Sequence, residues 1–574
     1  YRPNNARTAF GYASDGSGNP LTITTGGTGV ASMLTEAGWA TVDNQPNMTP
    51  LQSLRRPGVA KAAEFGSFTA GGKAQSIIDA LNQRRTRAYS GGLLTSSTDA
   101  RNATTALRYD SGDGQKHGLP NRVTNALGHY TETTYDALGR AASVRNARNN
   151  VTRYTHDANG NVITITDADG GVVTHTYDES DNLVQTTDAR GNTTVYSYDA
   201  LNRKSRETYT VGGQQRTRTF AYDAMGRLHR ITNEKGHTAE TRFDARGNTL
   251  QEINPLSQTV TYTYDANGNV ASVTDAAGRT LSYQYDALDR KTRATDALNN
   301  YEAYTYNAQG LLASQRDGRG KTTQYEYDAL GRMTRVIDSE GGQTLASYDA
   351  NGNLTAATDR KGQTVRYQYD ALNRMTLLTD AVGRQWTFNY DANGNLLSRG
   401  TPGGQTTSYT YDKLDRVSSV SYPGGPSVSY GYDANGNRLT MADSNGVTNY
   451  GYDEQNRLTS LKDAFGNNVA WRYDAAGLMD RLTYPGNRSV TYNYNAAGQM
   501  TSLTDWLNHT TAYTRDNSGA VIATQYGNGA KVQKTYDAAG RLITLVNRNA
   551  ANATISSHGL TLDGMYLFTL PQSR

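Results

Sequence analysis

The chain has 574 residues, with 57 basic and 53 acidic side chains, a formal net charge of +4 at pH 7, and no cysteine. This charge balance argues against a nucleic-acid footprint, and the lack of cysteine excludes disulfides, thiolate metal sites and cysteine catalysis. Hydrophobic residues make up 36% of the chain and include 40 Tyr against 8 Phe, so a core must rest on Tyr rings and small apolar groups. No apolar run approaches the length of a membrane span.

The N-terminal residues 1–85 show no regular repeat and predict an irregular segment. Within it, Ala74, Ile77, Ile78 and Leu81 share one side of a helical pattern, which predicts a short helix over 73–85. The segment is either a plug that closes one end of a shell or a lead-in that covers the first sheet edge, and we favour the lead-in. The chain begins at Tyr1 without a signal-peptide pattern, which suggests a fragment of a longer protein.

Residues 86–545 form a repeat array in which the phrase Tyr-Asp-Ala-(Leu/Asn)-Gly-(Arg/Asn) returns at a nearly constant step. Of the 19 steps between 20 anchors, 17 are 21 residues long, one is 24 and one is 20. Tyrosine is the anchor at Tyr135, Tyr177, Tyr198, Tyr222, Tyr264, Tyr285, Tyr306, Tyr327, Tyr348, Tyr369, Tyr390, Tyr411, Tyr432, Tyr452, Tyr473, Tyr494 and Tyr536. So rigid a step predicts one supersecondary unit per repeat, each stacked on the next.

Each repeat reads as two short strands and two turns. Val260, Tyr262 and Tyr264 alternate with threonines, which is the period of a strand. Asp265 then opens a turn that Gly268 completes, because Asp can cap the turn and Gly tolerates positive φ; we predict a type I turn with a glycine bulge. The same turn is predicted at Asp328 and Gly331, Asp349 and Gly352, Asp391 and Gly394, and Asp433 and Gly436.

The width of the resulting sheet predicts that it curls. Roughly 40 strands at ~4.8 Å spacing give an antiparallel meander roughly 190 Å wide. Open sheets rarely exceed ~10 strands without curling, and barrels of about 16–18 strands already leave an open channel. The predicted fold is therefore all-β: a long antiparallel meander of 21-residue hairpin repeats that curls into a spiral hollow shell.

The recurring units resemble YD repeats, the hallmark of Rhs-type polymorphic toxins, toxin-complex B/C subunits, wall-associated bacterial proteins and teneurins. The units at 135–140 and 327–332 read Tyr-Asp-Ala-Leu-Gly-Arg, and those at 264–269, 348–353, 390–395 and 432–437 read Tyr-Asp-Ala-Asn-Gly-Asn. The resemblance implies a hollow shell that holds a C-terminal toxin, or an extracellular adhesion scaffold. It also implies a core segment with an Asp-Pro motif before the toxin, and the chain has none; residues 546–574 read as a truncated or degenerate repeat.

The function that this resemblance implies is a structural, encapsulating shell of a secreted bacterial Rhs-like protein, located outside the cell or on its surface. Its expected partners are a polypeptide cargo, absent from this chain, and secretion or capping proteins. The alternative is an extracellular carbohydrate-binding or adhesion array, although such arrays typically use Trp and this chain has 4. A β-propeller is a further possibility, disfavoured because its Gly-His and Trp-Asp signature is missing. We expect no enzyme activity, no cofactor and no nucleic-acid partner, and self-association is possible through open sheet edges.

Three patterns suggest more specific chemistry. The Asp-Ala-Asn-Gly-Asn turns resemble the start of a calcium loop, but position 12 after Asp265 is Ala276 instead of Glu, so we favour plain turns. The arginines that close alternate units are Arg290, Arg332, Arg374, Arg416 and Arg457. They could line a lumen, yet pairing with neighbouring Asp is the favoured interpretation. Tyr rings two residues apart could stack sugars, but packing between repeats is favoured.

Overall fold

The computed structural model describes residues 7–12, 20–26, 33–39, 51–56, 59–109 and 118–561, with side chains from residue 63 onward. These residues form β-strands joined by tight turns, and no helix occurs among them. The predicted all-β antiparallel meander is confirmed. Residues 562–574 of the predicted tail lie outside the described residues.

The strands of the first half are β1 (Arg7–Tyr12), β2 (Pro20–Gly26), β3 (Met33–Trp39), β4 (Leu51–Arg56), β5 (Val59–Phe68), β6 (Ala74–Asp79), β7 (Arg84–Ser90), β8 (Leu93–Thr98), β9 (Thr104–Arg108), β10 (Arg122–Thr124), β11 (Tyr130–Tyr135), β12 (Ala141–Arg145), β13 (Val151–His156), β14 (Val162–Thr166), β15 (Val172–Tyr177), β16 (Leu183–Thr187), β17 (Thr193–Tyr198), β18 (Lys204–Val211), β19 (Gln214–Tyr222), β20 (Leu228–Thr232), β21 (Thr238–Phe243), β22 (Thr249–Ile253), β23 (Thr259–Tyr264), β24 (Val270–Thr274) and β25 (Thr280–Tyr285). Those of the second half are β26 (Lys291–Thr295), β27 (Tyr301–Tyr306), β28 (Leu312–Arg316), β29 (Thr322–Tyr327), β30 (Met333–Ile337), β31 (Gln343–Tyr348), β32 (Leu354–Thr358), β33 (Thr364–Tyr369), β34 (Met375–Thr379), β35 (Gln385–Tyr390), β36 (Leu396–Gly400), β37 (Thr406–Tyr411), β38 (Val417–Ser421), β39 (Val428–Tyr432), β40 (Arg438–Asp443), β41 (Gly446–Tyr452), β42 (Leu458–Lys462), β43 (Asn468–Tyr473), β44 (Met479–Tyr484), β45 (Arg488–Tyr494), β46 (Met500–Thr504), β47 (Thr510–Arg515), β48 (Val521–Gln525), β49 (Lys531–Tyr536), β50 (Leu542–Arg548) and β51 (Thr554–Gly559).

The helix predicted over 73–85 is wrong. Strands β6 and β7 occupy this segment and pair antiparallel. Between them, Asp79 opens the same five-residue turn as the repeats: its Oδ1 accepts from the backbone N–H groups of Leu81 and Gln83, and Asn82 has a φ of 61°. Turn chemistry thus outweighs the helical spacing of four apolar residues. The meander begins earlier than the predicted boundary at 86 and continues through β51.

The chain divides into two compact units. Unit 1 comprises Tyr1–Arg153, Tyr285–Thr292 and Ala303–Asp415, and unit 2 comprises Tyr154–Gln284, Arg293–Glu302 and Arg416–Arg574. Each unit therefore combines an earlier strip of the meander with a later one. We call residues 59–153 and 154–284 the earlier strips of units 1 and 2, and residues 303–415 and 416–561 their later strips.

Two kinds of turn alternate along each strip. The YD turn follows an anchor, and its return strand carries a bulge: Tyr264 faces Val270 but Thr263 faces Ser272, so one residue is extra. The other kind, which we call the return turn, joins strands in regular register, as Thr274 opposite Thr280 shows. Because consecutive strands run antiparallel, YD turns lie along one edge of a strip and return turns along the other.

The sheets are single layers with two different faces. Tyr262 and Tyr264 lie on one face, where they are part-buried, whereas Thr263 is exposed on the other and its hydroxyl meets that of Ser272 at 2.6 Å. Few apolar side chains are less than a tenth exposed. Those among the described residues are Val273, Ala294, Val420 and Ala539. The strips therefore depend on hydrogen bonds and ring packing more than on a thick core.

Candidate functional site

The YD turn is the smallest working part of the repeat. Asp265 Oδ1 accepts from the backbone N–H groups of Asn267 at 3.0 Å and Asn269 at 2.8 Å, and the Gly268 N–H donates to the Asp265 carbonyl. Gly268 has a φ of 90°, which confirms the predicted turn. Burial raises the pKa of Asp265, but the bonds from Asn269 and the backbone outweigh it and leave that pKa lowered. The same bonds form at Asp328–Gly331, Asp349–Gly352, Asp391–Gly394 and Asp433–Gly436.

These turns use the oxygens that a calcium ion would need. The second carboxylate oxygen of Asp265 accepts from the Asn269 side-chain amide at 3.1 Å, and Asp433 and Asn437 repeat this bond at 2.9 Å. Within the described part of the chain, no group of three or more His, Asp or Glu side chains is arranged to hold a metal ion. The turn carboxylates are engaged with their own turns.

The anchor tyrosines tie each hairpin to the preceding one through their hydroxyl groups. Tyr264 donates to the Thr249 carbonyl at 2.7 Å, 15 residues earlier. The same bond, at 2.7–3.2 Å, is made by Tyr135, Tyr177, Tyr198, Tyr306, Tyr348, Tyr369, Tyr390, Tyr411, Tyr432, Tyr473, Tyr494 and Tyr536. Tyr222 and Tyr452 reach carbonyls 18 and 14 residues back, where the step deviates from 21.

The remaining predicted anchors hold the same place in their strands. Tyr285 ends β25 and Tyr327 ends β29, and burial raises the pKa of Tyr327. Tyr109 is an anchor that the sequence analysis missed, since its hydroxyl donates to the Leu94 carbonyl at 2.9 Å, again 15 residues back. Its 26-residue distance from Tyr135 falls outside the regular step.

The closing arginines link one YD turn to the next. Arg374 Nε donates to Asp370 of its own turn at 2.7 Å, and one of its Nη groups donates to the Asp391 carbonyl of the next at 3.0 Å. Its guanidinium lies 4.7 Å from the centroid of the Tyr390 ring, a cation–π contact. Similar stacks of 4.5–4.8 Å join Arg203 to Tyr222, Arg227 to Phe243, Arg290 to Tyr306, Arg332 to Tyr348, Arg416 to Tyr432 and Arg457 to Tyr473.

In unit 2, polar residues of the single 24-residue step contact a buried glutamate of the return turn that follows it. Tyr209 donates to Glu234 at 2.9 Å, and the Glu234 side chain is 1% exposed and lies 3.0 Å from an Nη atom of Arg218. Burial, followed by the bond to Glu234, raises the pKa of Tyr209 to about 12. The step thus extends β18 and β19, and Tyr209 and Arg218 of the extended strands share one carboxylate oxygen of Glu234.

The most informative contacts join the earlier strip of a unit to its later strip. In unit 1, Arg148 is the third residue of a return turn. Its two Nη groups donate to the carbonyls of Asp412 and Tyr411, at 2.8 and 2.9 Å. The Nη group bound to Asp412 also lies 2.6 Å from Asp415 Oδ1, and Nε lies 3.4 Å from Asp391 Oδ2. One guanidinium thus meets four acceptors on two successive YD turns, an arrangement that we call an arginine clamp.

The clamp occurs twice more with the same atoms. Arg101 in unit 1 reaches the carbonyls of Tyr369 and Asp370, the side chain of Asn373 and the carboxylate of Asp349. In unit 2, Arg190 binds the corresponding set. That set is Tyr452, Asp453, Asn456 and Asp433. Donors and acceptors of the hydrogen bonds are separated by 262–272 residues, so the return edge of an earlier strip docks on the YD edge of a later one.

Further polar contacts follow the same edge. The Asn351 amide donates to Asp99 Oδ2 and the Asn435 amide to Asp188 Oδ2, each at 2.6 Å. Asp169 lies 3.0 Å from Arg416, and Lys235, at the third position of its turn, lies 3.2 Å from Asp474. Charge of either sign at the third position of a return turn therefore meets its complement on the opposing YD turn.

Electrostatics at the clamps favour the ionised carboxylate. Partial burial raises the pKa of Asp415, but hydrogen bonds from Arg148, Asn395 and Asn393 outweigh it and hold that pKa below its usual value. Asp349 behaves likewise, with burial opposed by bonds from Asn353 and by the charge of Arg101. The sequence analysis did not identify Arg101, Arg148 or Arg190, although Asx-Ala-Arg recurs at turns 99, 146 and 188.

Family models match the repeat array directly. The teneurin YD-shell model matches residues 190–339 and 403–506, and the RHS repeat model matches residues 135–172 and 348–385. No curated protein sequence matches the chain. Among the described residues, none belongs to a helix long and apolar enough to cross a membrane.

Solved structures share the fold at low sequence identity. The Tc holotoxin pore of Photorhabdus luminescens, with a TccC3 D651A mutation, aligns with 92% of this chain at 14% identity and a TM-score of 0.55. The TcdB2-TccC3-Cdc42 structure aligns with 95% at 14% identity and a TM-score of 0.54, and TcdB2-TccC3-TEV with 91% at 12% and 0.52. The chain spans 32%, 34% and 41% of those chains, respectively. These structures show the shared fold, and the family matches together with the repeated turn geometry identify the array as YD repeats of the kind that the RHS repeat and teneurin YD-shell models describe.

Proposed function

We propose that this chain forms part of the wall of a hollow shell that encloses a polypeptide cargo, in a secreted bacterial protein related to the Rhs toxins. The observation that carries the proposal is the arginine clamp, because it joins strips about 260–270 residues apart in the chain. Strips joined edge to edge make a continuous wall from a sheet only one layer thick. The YD-shell family match and the Tc toxin structures support the same role.

The proposed role needs no catalytic group in the wall. The wall's work is mechanical: hydrogen-bonded turns seal the edges between strips, and the sheet separates an interior from solvent. A polypeptide held there would be shielded from proteases while the outer surface stays accessible. Secretion and capping partners belong to the proposal through the family resemblance.

Protection of a fused reporter tests the proposal. The full chain is fused at its C-terminus to a flexible segment that contains a site for an added protease, and the rate of cleavage is measured. We expect cleavage much slower than in the same segment fused to an unrelated globular protein. A variant in which Arg101, Arg148 and Arg190 are replaced by Glu should restore fast cleavage. Equal rates in the wild-type fusion and the unrelated fusion would refute enclosure, and glycan-array binding would then test the adhesion alternative.

A further inference from the structure

The YD edge of the earlier strip in unit 2 resembles a docking edge that lacks its partner. In the covered YD turns of unit 1, the third residue is part-buried, as Leu372 and Leu414 show. At the same position of the earlier strip in unit 2, Leu201 is 71% exposed and Met225 is 67% exposed. Turns of the same kind thus expose an apolar residue where no described return edge of their own unit lies against them.

The same edge carries the acceptor set of an arginine clamp. Around Arg101, the Asn353 amide donates to Asp349 Oδ2 at 2.9 Å and to Asn373 Oδ1 at 2.7 Å, and so holds two acceptors in place. In unit 2, the Asn182 amide makes the same two bonds, to Asp178 Oδ2 at 3.0 Å and Asn202 Oδ1 at 3.1 Å.

The carbonyls of Tyr198 and Asp199 complete this second set by position. Within the described residues of unit 2, no arginine occupies it. Asp178 is exposed whereas Asp349 is part-buried, consistent with an acceptor set that no arginine of unit 2 covers.

We propose that this edge binds the return edge of a second copy of the chain. The return turns of the later strip in unit 1 carry Arg319, Glu340 and Lys361 at their third positions, 21 residues apart. This is the charge order of Arg148, Asp169 and Arg190, which dock on YD turns inside each unit. The proposal goes beyond the shell function and does not depend on a cargo.

The internal contacts predict how the two edges align. Arg148 docks on the YD turn that begins at Asp412 and ends at Arg416. Asp169, on the next return turn, pairs with Arg416. On the YD edge of the earlier strip in unit 2, Arg203 closes the turn in which Asp199 and Asn202 supply acceptor oxygens. Arg319 of the second copy therefore enters that acceptor set, in exchange for its contacts within its own chain, which include the bond to Asp317. Glu340 meets Arg203 in exchange for its bond to Arg360. The Glu340 side chain is 64% exposed and accessible for this contact.

The two edges differ, so the association is head-to-tail. A heterologous contact leaves a free edge on each end of a pair and continues to add copies unless a ring closes. An apolar side chain reinforces this return edge, since Val382 is 76% exposed at a third position. Complementary charges predict that the association weakens as salt concentration rises.

Sedimentation velocity of the full chain over a range of concentrations tests the proposal. We expect the wild type to form progressively larger species, Leu201→Glu to remain a monomer, and Ala200→Glu to behave as the wild type. Ala200 is the matched control because the second position stays exposed even in the covered turn, as Lys413 shows. The chain itself places Glu at this position, in Glu179.

Mixing two variants distinguishes the edges. Leu201→Glu blocks the YD edge, and Glu340→Arg places a positive charge opposite Arg203 and blocks the return edge. Each variant alone should be monomeric, and the mixture should stop at a complex of two. A wild type that stays monomeric at every concentration would overturn the proposal. The return edge of a further strip, in a longer polypeptide, would then be the candidate occupant. Association that persists in Leu201→Glu, or that stops at two in the wild type, would overturn it as well.

Discussion

At the scale of single residues, the Tyr-Asp pair explains how the repeat is stable without a thick core. The tyrosine contributes a part-buried ring and donates its hydroxyl to a carbonyl of the previous hairpin, and the aspartate satisfies two backbone N–H groups of its turn. Such bonds matter most where backbone groups are shielded from water. The pair is therefore repeated because each hairpin needs both connections.

Removing one anchor hydroxyl tests the first connection. In the wild type, the Tyr494 hydroxyl donates to the Met479 carbonyl at 2.8 Å. Tyr494→Phe leaves the ring in place but removes this donor. We expect a loss of about 1 kcal/mol in the free energy of unfolding, measured by urea denaturation. Tyr492→Phe is the matched control, since that ring lies two residues away on the same face. An equal effect of both substitutions would show that the hydrogen bond of Tyr494 makes no contribution of its own.

The clamp carboxylate in unit 1 predicts a dependence on acid pH. The pKa of Asp415 is lowered in the folded protein, so its stabilising contribution is present above its unfolded pKa of about 4 and is lost as pH falls through the lower folded value. Asp415→Asn keeps an acceptor for Arg148, as Asn373 and Asn456 do for their arginines. The Tm difference between wild type and variant should therefore shrink below about pH 4. A difference that stays constant down to pH 2 would contradict this assignment.

At the scale of elements, turns determine the structure more than strand or helix patterns do. The sequence predicted the turn at Asp265–Asn269 correctly because Asp and Gly each have one strong local role there. It failed at residues 73–85, where four apolar residues at helical spacing concealed Asp79 and Asn82. The signal was present, since Asp79-Ala-Leu-Asn82 repeats the Asp-Ala-Leu-Asn of residues 199–202.

The glycine of the YD turn gives a prediction about backbone strain. A Cβ at Gly268 would meet no atom within 4 Å, so Gly268→Ala is costly only through its φ of 90°. We expect a loss of about 1–2 kcal/mol in the free energy of unfolding. Gly268→Asn should lose less, because Asn occupies the equivalent position with φ of 60° at Asn373. Both values come from urea denaturation, and equal losses would argue against strain as the cause.

The arginine clamp gives a prediction at the contact between strips. Arg148→Ala removes the arginine donors to the Tyr411 and Asp412 carbonyls and one of the donors to Asp415. Hydrogen bonds to charged groups contribute about 1.5–3 kcal/mol, so amide exchange in the 411–415 turn should accelerate about tenfold or more. Arg145→Ala is the matched control, because Arg145 is 46% exposed and lies 3.5 Å from Glu132. No change in the 411–415 turn would show that the clamp does not stabilise the contact.

At the scale of the whole molecule, the sequence predicts the structure of each repeat but not which repeats contact each other across the strips. The local pattern of Tyr, Asp and Gly determines each hairpin, and the family resemblance follows from it. The separation of 262–272 residues between clamp partners depends on how strongly the strip curves, which no local pattern encodes. The Asx-Ala-Arg turns identify the donors only when the acceptors opposite them are known, as at Arg190 and Asp453.

The clamps also explain why YD turns that end in Asn alternate with YD turns that end in Arg. A clamp needs one turn that ends in Asn, as at Asn353, followed by a turn with Asn or Asp at its fourth position, as at Asn373. This combination returns at 42-residue intervals, at Asp349 and Asp391. Donors spaced at about the same interval therefore meet suitable acceptors only if the strips keep their phase.

Deletions between donors and acceptors test this phase. Removing residues 223–243, which is one repeat, would bring Arg101 opposite the turn at Asp391. The fourth residue of that turn is Gly394, which provides no side-chain acceptor. Removing residues 223–264, which are two repeats, would bring Arg101 opposite Asp412 and Asp415, which belong to a complete acceptor set. We therefore expect the longer deletion to have the higher Tm, although it removes more of the sheet. A lower Tm for the two-unit deletion would mean that sheet length, and not the register of the clamps, determines how the strips join.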